Sequence, residues 1–460
     1  MQTVINNFVS WQTSRAALVA RIGLGLVCLL HLAHAAYAQT VGEIEFARGV
    51  GFSQSTGQNP RTLGKGLALQ EGDRLTTAEG GLAIARLNDG TRFTIRPNSE
   101  LVIQQYQFNA NANDNNMVMQ LLRGGFRAIT GLISKSSPDA ARVQTKTATI
   151  GIRGTDFDAR ICTTDCKSES SKVAEKPRVN TVLASAKIVS AQGREVSAVD
   201  SSGQRRNLVE GGSVYPGDVV ETGPNARAVL VFRDDSRMTL GSSTQFKVDS
   251  FVFDGQNPND GKFLVSLLRG SLRALTGLIG KANHRNVGFT TATATIGIRG
   301  TGLDLDCTGE AACSFFTWLG SIEVTPSGQS ALQVLQAGQG LFVSPTSIRP
   351  LSESTLNHLP RPDSVPVNLQ QLFTGGMVDD AAEGLFVFVR DGHIEIKSTN
   401  EILHLGRGET GFAGNDGTVI RPLALPRFIE FDRTPMPNSK NPMLGTILGE
   451  TGVRPLNQCR

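Results

Sequence analysis

A nine-residue stretch occurs twice in this chain, unchanged. Thr147-Ala-Thr-Ile-Gly-Ile-Arg-Gly-Thr155 returns as Thr293-Ala-Thr-Ile-Gly-Ile-Arg-Gly-Thr301. The match spreads outward: about 20 of the 34 ungapped positions from Leu121 to Gly154 are identical to Leu267 to Gly300. Upstream, Gly72-Asp73 with Thr77 answers to Gly217-Asp218 with Thr222, and Asp89-Gly90-Thr91 to Asp234-Asp235-Ser236. The period is roughly 145 residues, a domain rather than a solenoid repeat. Whatever one copy folds into, the other must fold into as well.

Each copy reads as strands. Leu82 to Leu87 alternates large and small as Leu-Ala-Ile-Ala-Arg-Leu, Asn88-Asp89-Gly90 turns the chain, and Thr91 to Ile95 continues with period two, so a β-hairpin is expected. Ala228 to Phe232, Asp234-Asp235 and Arg237 to Leu240 repeat that plan. The Thr-rich run from Val143 to Ile150 places Val143, Thr145, Thr147 and Thr149 on one strand face, with Ala148 and Ile150 on the other. After a bend between Gly151 and Gly154, Phe157, Ala159 and Ile161 point inward, matched by Leu303, Leu305 and Cys307. Fifty glycines among 460 residues supply the tight turns that such a chain needs. The fold class is therefore all-β: two compact sandwich-like or roll-like modules. A third short β region follows, since Gly384 to Ile396 reads as a hairpin about Asp391-Gly392 and, with Ile402 to Gly408, resembles Phe315 to Val343.

The N-terminus carries Arg15 and Arg21, then a short apolar run to about Ala36, then the small-residue site Ala36-Tyr37-Ala38. This is the order of a secretory signal peptide, with cleavage between Ala38 and Gln39, and no later segment reaches spanning length. The expected organisation is a signal peptide over 1–38, a first module over 41–166 and a linker over 167–181. A second module over 182–345, a Pro- and Ser-containing linker over 346–366, the C-terminal β region over 367–431 and a tail over 432–460 follow. Cys162 with Cys166, and Cys307 with Cys313, form close pairs, which in an exported chain read as local disulfides; Cys459 is left over.

These residues resemble the FecR domain. The resemblance rests on Gly72-Asp73, Asp89-Gly90-Thr91, Leu122-Arg123-Gly124 and Thr147 to Phe157, above all the step Arg153-Gly154-Thr155 before an acidic, hydrophobic strand. It implies an all-β periplasmic module of a Gram-negative bacterium. In its best-known setting the domain is the periplasmic half of a transmembrane regulator that senses an outer-membrane transporter and controls a sigma factor. Here the apolar segment reads as a signal peptide, with nothing before it to bind a sigma factor. What carries over is an exported β-module that binds something.

The candidate sites read mostly as scaffold. Arg153 and Arg299 are candidates for an anion site or, more simply, for an ion pair with an acid such as Asp158 or Asp304. Asp156 and Asp158 lie on one strand face at a spacing compatible with glycosidase carboxylates, yet the second copy has Gly302 in place of Asp156. Of the His residues His284, His358, His393 and His404, the last two could face each other across a hairpin, without a third metal ligand. The Asn- and Asp-rich loops at 109–116 and 254–260 hold oxygen ligands that could suit calcium but read more simply as solvated turns. No P-loop, nucleophile elbow or His-Glu-x-x-His occurs. No catalytic, cofactor or metal residue is assigned. Lys and Arg number 45 against 41 Asp and Glu, which gives no case for nucleic acid. The leading reading is a non-enzymatic envelope protein that binds a protein partner. An envelope structural or glycan-binding protein and a carbohydrate-active enzyme are the alternatives, the sugar readings being weakened by only 2 Trp and 3 Tyr. N-terminal sequencing of the protein from an envelope fraction should begin at Gln39; an intact Met1 in the cytoplasm would refute export.

Overall fold

The computed structural model describes residues 40–429, apart from 111–113, 137–139, 194, 310 and 400. The signal peptide with Ala38 and Gln39, the tail over 432–460 and Cys459 lie outside the described residues. The fold is all-β and is dominated by two large sheets of 16 and 15 strands. No helix among the described residues is long and apolar enough to cross a membrane.

Both hairpins that open the modules form where the alternation places them. Leu82–Leu87 pairs with Arg92–Ile95, and Arg227–Phe232 with Arg237–Leu240. Their turns are held by a buried acid: Asp89 accepts from the Thr91 N–H and hydroxyl, and Asp234 does the same for Ser236. Gly90 and Asp235 take the positive φ that each turn requires. The inward faces build one apolar core per module. Phe93, Phe126 and Phe157 pack edge to face in the first, and Phe232, Phe251 and Phe263 cluster in the second. Each buried Phe contributes about 1.5–3 kcal/mol.

Two local expectations are corrected. The Thr-rich run is not one strand but a hairpin, with Ala141–Gln144 pairing back on Thr149–Cys162. The Thr145 hydroxyl accepts from the N–H groups of Thr147 and Ala148 and so offers the backbone a turn in place of a ladder. Thr291 repeats the device with Thr293 and Ala294. Likewise, Gly384 to Ile396 does not reverse at Asp391-Gly392. It belongs to a single strand, Gly384–Lys397, which runs antiparallel to Thr149–Cys162 from Lys397 opposite Thr149 to Gly384 opposite Cys162. Gly154 (φ 65°) and Gly392 (φ 90°) face each other, so both strands kink together instead of turning. A Cβ on Gly392 would lie 2.5 Å from the Gly154 carbonyl oxygen.

That pairing explains the partial third copy. In the second module, Ala294–Gly309 is followed at once by Ala312–Pro326, its antiparallel neighbour. In the first module the equivalent neighbour is Gly384–Lys397, more than two hundred residues downstream. The C-terminal β region therefore lies in the first module's sheet, and the whole second module is inserted between two paired strands of the first. The segment read as a linker over 167–181 is docked, not free. Its helix Asp165–Ser171 is held by Arg160 through Asp165 and Glu169, and the Asn180 amide donates to the Thr410 and Pro422 carbonyls. Both disulfides form, Cys162–Cys166 and Cys307–Cys313, with Cα separations of 5.4 and 4.3 Å.

Ending the chain at residue 366 removes Leu385, Val387, Val389, Ile394 and Ile396 from the first core, all fully buried. At about 1.5–3 kcal/mol each this rivals the whole stability of a domain. Limited proteolysis of the truncated protein should digest residues 40–162 and leave 186–351 protected; equal protection of both would contradict the insertion.

Candidate functional site

The signature residues brace the paired kinks. The Thr155 N–H donates to the Thr130 hydroxyl at 2.7 Å while its own hydroxyl donates to the His393 carbonyl at 2.8 Å. Thr301 repeats this with Thr276 and Ser321, each at 2.9 Å. Gly300 takes the same positive φ as Gly154. Gly72-Asp73 and Gly217-Asp218 are turn devices. Asp73 accepts from the Gln70 N–H and Arg61, Asp218 from the Tyr215 N–H and Arg206.

The signature arginines find acids other than Asp158 and Asp304. Arg153 sits opposite His393 in the ladder and pairs at 3.1 Å with Glu395, its diagonal neighbour. Arg299, opposite Ser321, pairs with Glu323 in the same relation. Asp158 and Asp304 alternate with the core residues Phe157, Ala159, Leu303 and Leu305, so they lie on the opposite strand face, where other side chains cover them and leave them nearly inaccessible. Burial pushes the carboxyl pKa of both upward, against the arginines beside them. Asp158 is held by Arg390 at 2.6 Å and Asp156 by Arg127 at 2.8 Å. In the second module Gly302 replaces Asp156, Arg273 turns to Asp304 at 3.0 Å, and the Trp318 indole covers the vacated place, donating to Asp304 at 3.0 Å.

A buried ionic cluster at the seam joins the two modules. Lys187 lies on the first strand of the second module, and Glu409 and Arg421 come from the C-terminal segment. All three are buried. Lys187 is 3.2 Å and Arg421 2.9 Å from Glu409, and both donate to the His404 carbonyl at 2.9 Å. Burial, with the Arg421 charge opposing Glu409, pulls the Lys187 ammonium down to about 8. His404 packs so closely on Gly211 that a Cβ there would lie 2.1 Å from its ring. His404 Nδ1 and His393 Nε2 are 3.3 Å apart. Burial, reinforced by neighbouring cations, pushes His404 down to about 4 and His393 well below 6.5. Among the described residues no three His, Cys, Asp or Glu side chains are grouped to hold a metal.

Sequence reasoning missed this cluster, although one signal was present. Lys187 stands between the core residues Ala186 and Ile188, on the other strand face, and reverses the charge of the first module's Glu43, which pairs with Arg86 at the surface. Beside the cluster a cleft of about 700 Å³ opens between the modules. The Arg153-Gly154 kink and Arg390 to His393 form one wall, and Arg205 to Val209 with Gly212, Ser213 and Tyr215 the other. Tyr215 is stacked between Arg206 and Arg407, at 5.2 and 4.7 Å from its ring centre.

Two apolar residues are exposed at matching places on both modules. Leu122 and Leu268 occupy one position of the repeat and are 40% and 49% exposed; Leu132 and Leu278 open the short helices and are 54% and 44% exposed. Of the Asn- and Asp-rich stretches, the Asn109 N–H donates to the Asn115 side chain and the Gln256 N–H to Asp254.

Glu409→Gln should destabilise the protein by about 3–5 kcal/mol, because it strands two buried cations. The pH dependence has a definite sign. Both His rings have folded pKa values below the unfolded 6.5, so the unfolded chain binds more protons between about 4 and 6.5. Their contribution is complete above pH 6.5 and is lost as pH falls toward 4. Thermal melts at pH 7.5 and 5 should show a larger loss for the natural protein than for His404→Asn.

Residues 73–175 and 218–323 match the family described as FecR protein. Two crystal structures of a proposed anti-sigma factor from Parabacteroides distasonis, at 1.65 and 2.50 Å resolution, align with 30% of this chain at 14% identity and a TM-score of 0.25. The chain spans 62% of the length of those solved structures. No curated protein matches the chain. With both copies matched separately, the chain carries two FecR-like modules, the second inserted into the first.

Proposed function

We propose that this is an exported, non-enzymatic protein of the bacterial cell envelope whose two FecR-like modules hold a protein partner in a signalling or scaffolding role. The repeated exposed leucines carry this reading. Leu122 with Leu132, and Leu268 with Leu278, offer the same apolar contacts twice, and apolar side chains at equivalent exposed places suit contact with another protein. Because the second module is inserted and locked to the first, the matching leucines of the two modules sit at a fixed separation. A partner engaging both gains avidity without paying to order a linker. The FecR family match supports an envelope role. Arginines holding Asp156 and Asp158 support a non-catalytic reading, since neither carboxylate is left as a free acid–base pair.

The test is affinity capture from envelope extracts with the full chain and with a Leu122→Asp/Leu268→Asp variant of unchanged melting temperature. A defined protein should be retained by the natural chain and at least tenfold less by the variant. Equal retention by both, or turnover of a glycan lost in Asp158→Asn, would overturn the proposal.

A further inference from the structure

We infer that the cleft between the two modules is a binding site for a small oxyanion, a carboxylate or a phosphate, gripped from both modules at once. Its volume of about 700 Å³ is that of a small-molecule site, and it lies at a domain junction, where such sites concentrate. Six cationic side chains line it: Lys135, Arg153, Arg205, Arg206, Arg390 and Arg407. Four are anchored by acids, Arg153 by Glu395, Arg205 by Glu221, Arg206 by Asp218 and Arg390 by Asp158. Anchoring fixes the direction of a guanidinium fork, and a fixed fork suits the planar recognition of oxyanions.

The other two, Lys135 and Arg407, make no ion pair among the described residues. Of the acids in the lining, Asp218 is held by Arg206, so Asp200 and Asp391 are the carboxylates that oppose them. Behind the wall Lys187 and Arg421 share the one carboxylate of Glu409, which adds a buried positive excess. His393 also lines the cleft at 8% exposure, and its Nδ1 has no hydrogen-bond partner. When His404 donates across the 3.3 Å contact, a neutral His393 carries its proton on Nδ1, a donor left without an acceptor just beneath the cleft surface. The second module's own kink offers nothing comparable, with Arg299 58% exposed and open space at Gly300. The site therefore arises from the insertion of one module into the other, and neither Leu122 nor Leu268 lines it.

Isothermal titration of the full chain with inorganic phosphate, with succinate and with a neutral hexose tests this. At least one of the two anions should bind, the hexose should not, and added salt should weaken the binding. Binding of phosphate alone assigns a phosphoryl ligand, and of succinate alone a carboxylate ligand. Lys135→Gln/Arg407→Gln, both exposed and so without consequence for folding, should weaken binding by about tenfold or more, the worth of a charge-assisted hydrogen bond. Leu122→Asp/Leu268→Asp should leave it unchanged. No binding of either anion, equal binding of the hexose, or full affinity in the Lys135/Arg407 double variant would overturn the assignment.

Discussion

Everything in this protein depends on the ladder between Thr149–Cys162 and Gly384–Lys397. It carries the last buried residues of the first core and the shared kink at Gly154 and Gly392. It also sets where the chain leaves the first module and where it returns. Because the two strands must lie side by side, the second module's ends are brought to the same edge of the first. Closing so long an insertion costs little extra, since loop-closure entropy grows only with the logarithm of length. The seam is then fixed by the buried Lys187–Glu409–Arg421 cluster and by Gly211 against His404.

The seam has the properties of a specificity device more than of a stabiliser. Two cations and one carboxylate removed from water gain little over an apolar contact, but they tolerate only the arrangement in which each finds its partner. Lys187 and Glu409 come from opposite modules, so one relative placement satisfies both. The neutral His pair beside them keeps further charge out of a region already positive.

Comparison of the copies separates scaffold from adaptation. The Thr brace, the kink glycine and the diagonal Arg–Glu pair occur in both, with the same partners, and they hold the bend. The positions that differ are coupled. Asp156 with Arg127 and Arg390 with Asp158 in one copy become Gly302, Arg273 with Asp304 and Trp318 in the other. A lost carboxylate is matched by a rearranged arginine and an indole that fills the space, so no buried charge is left alone in either copy.

Much of this was legible in the amino-acid order because it is local or repeated. Period-two alternation announced strands, Asp-Gly and Asp-Asp announced the hairpins, the close cysteine pairs announced their bridges, and the duplication announced two equivalent modules. The likeness of Gly384 to Gly408 to part of the second module was visible too. Its meaning was not, because no local rule says which strand a segment joins. At Asp391-Gly392 a turn signal was overruled by a partner strand alongside, and at Thr145 an alternating pattern was overruled by a hydroxyl that captured the backbone. Arg153 could be read as ion-paired, but its acid, Glu395, lies 242 residues away. The buried seam and its cleft belong wholly to tertiary structure: they exist only where two separately closed sheets meet, and the charges that define them are scattered from Lys135 to Arg421.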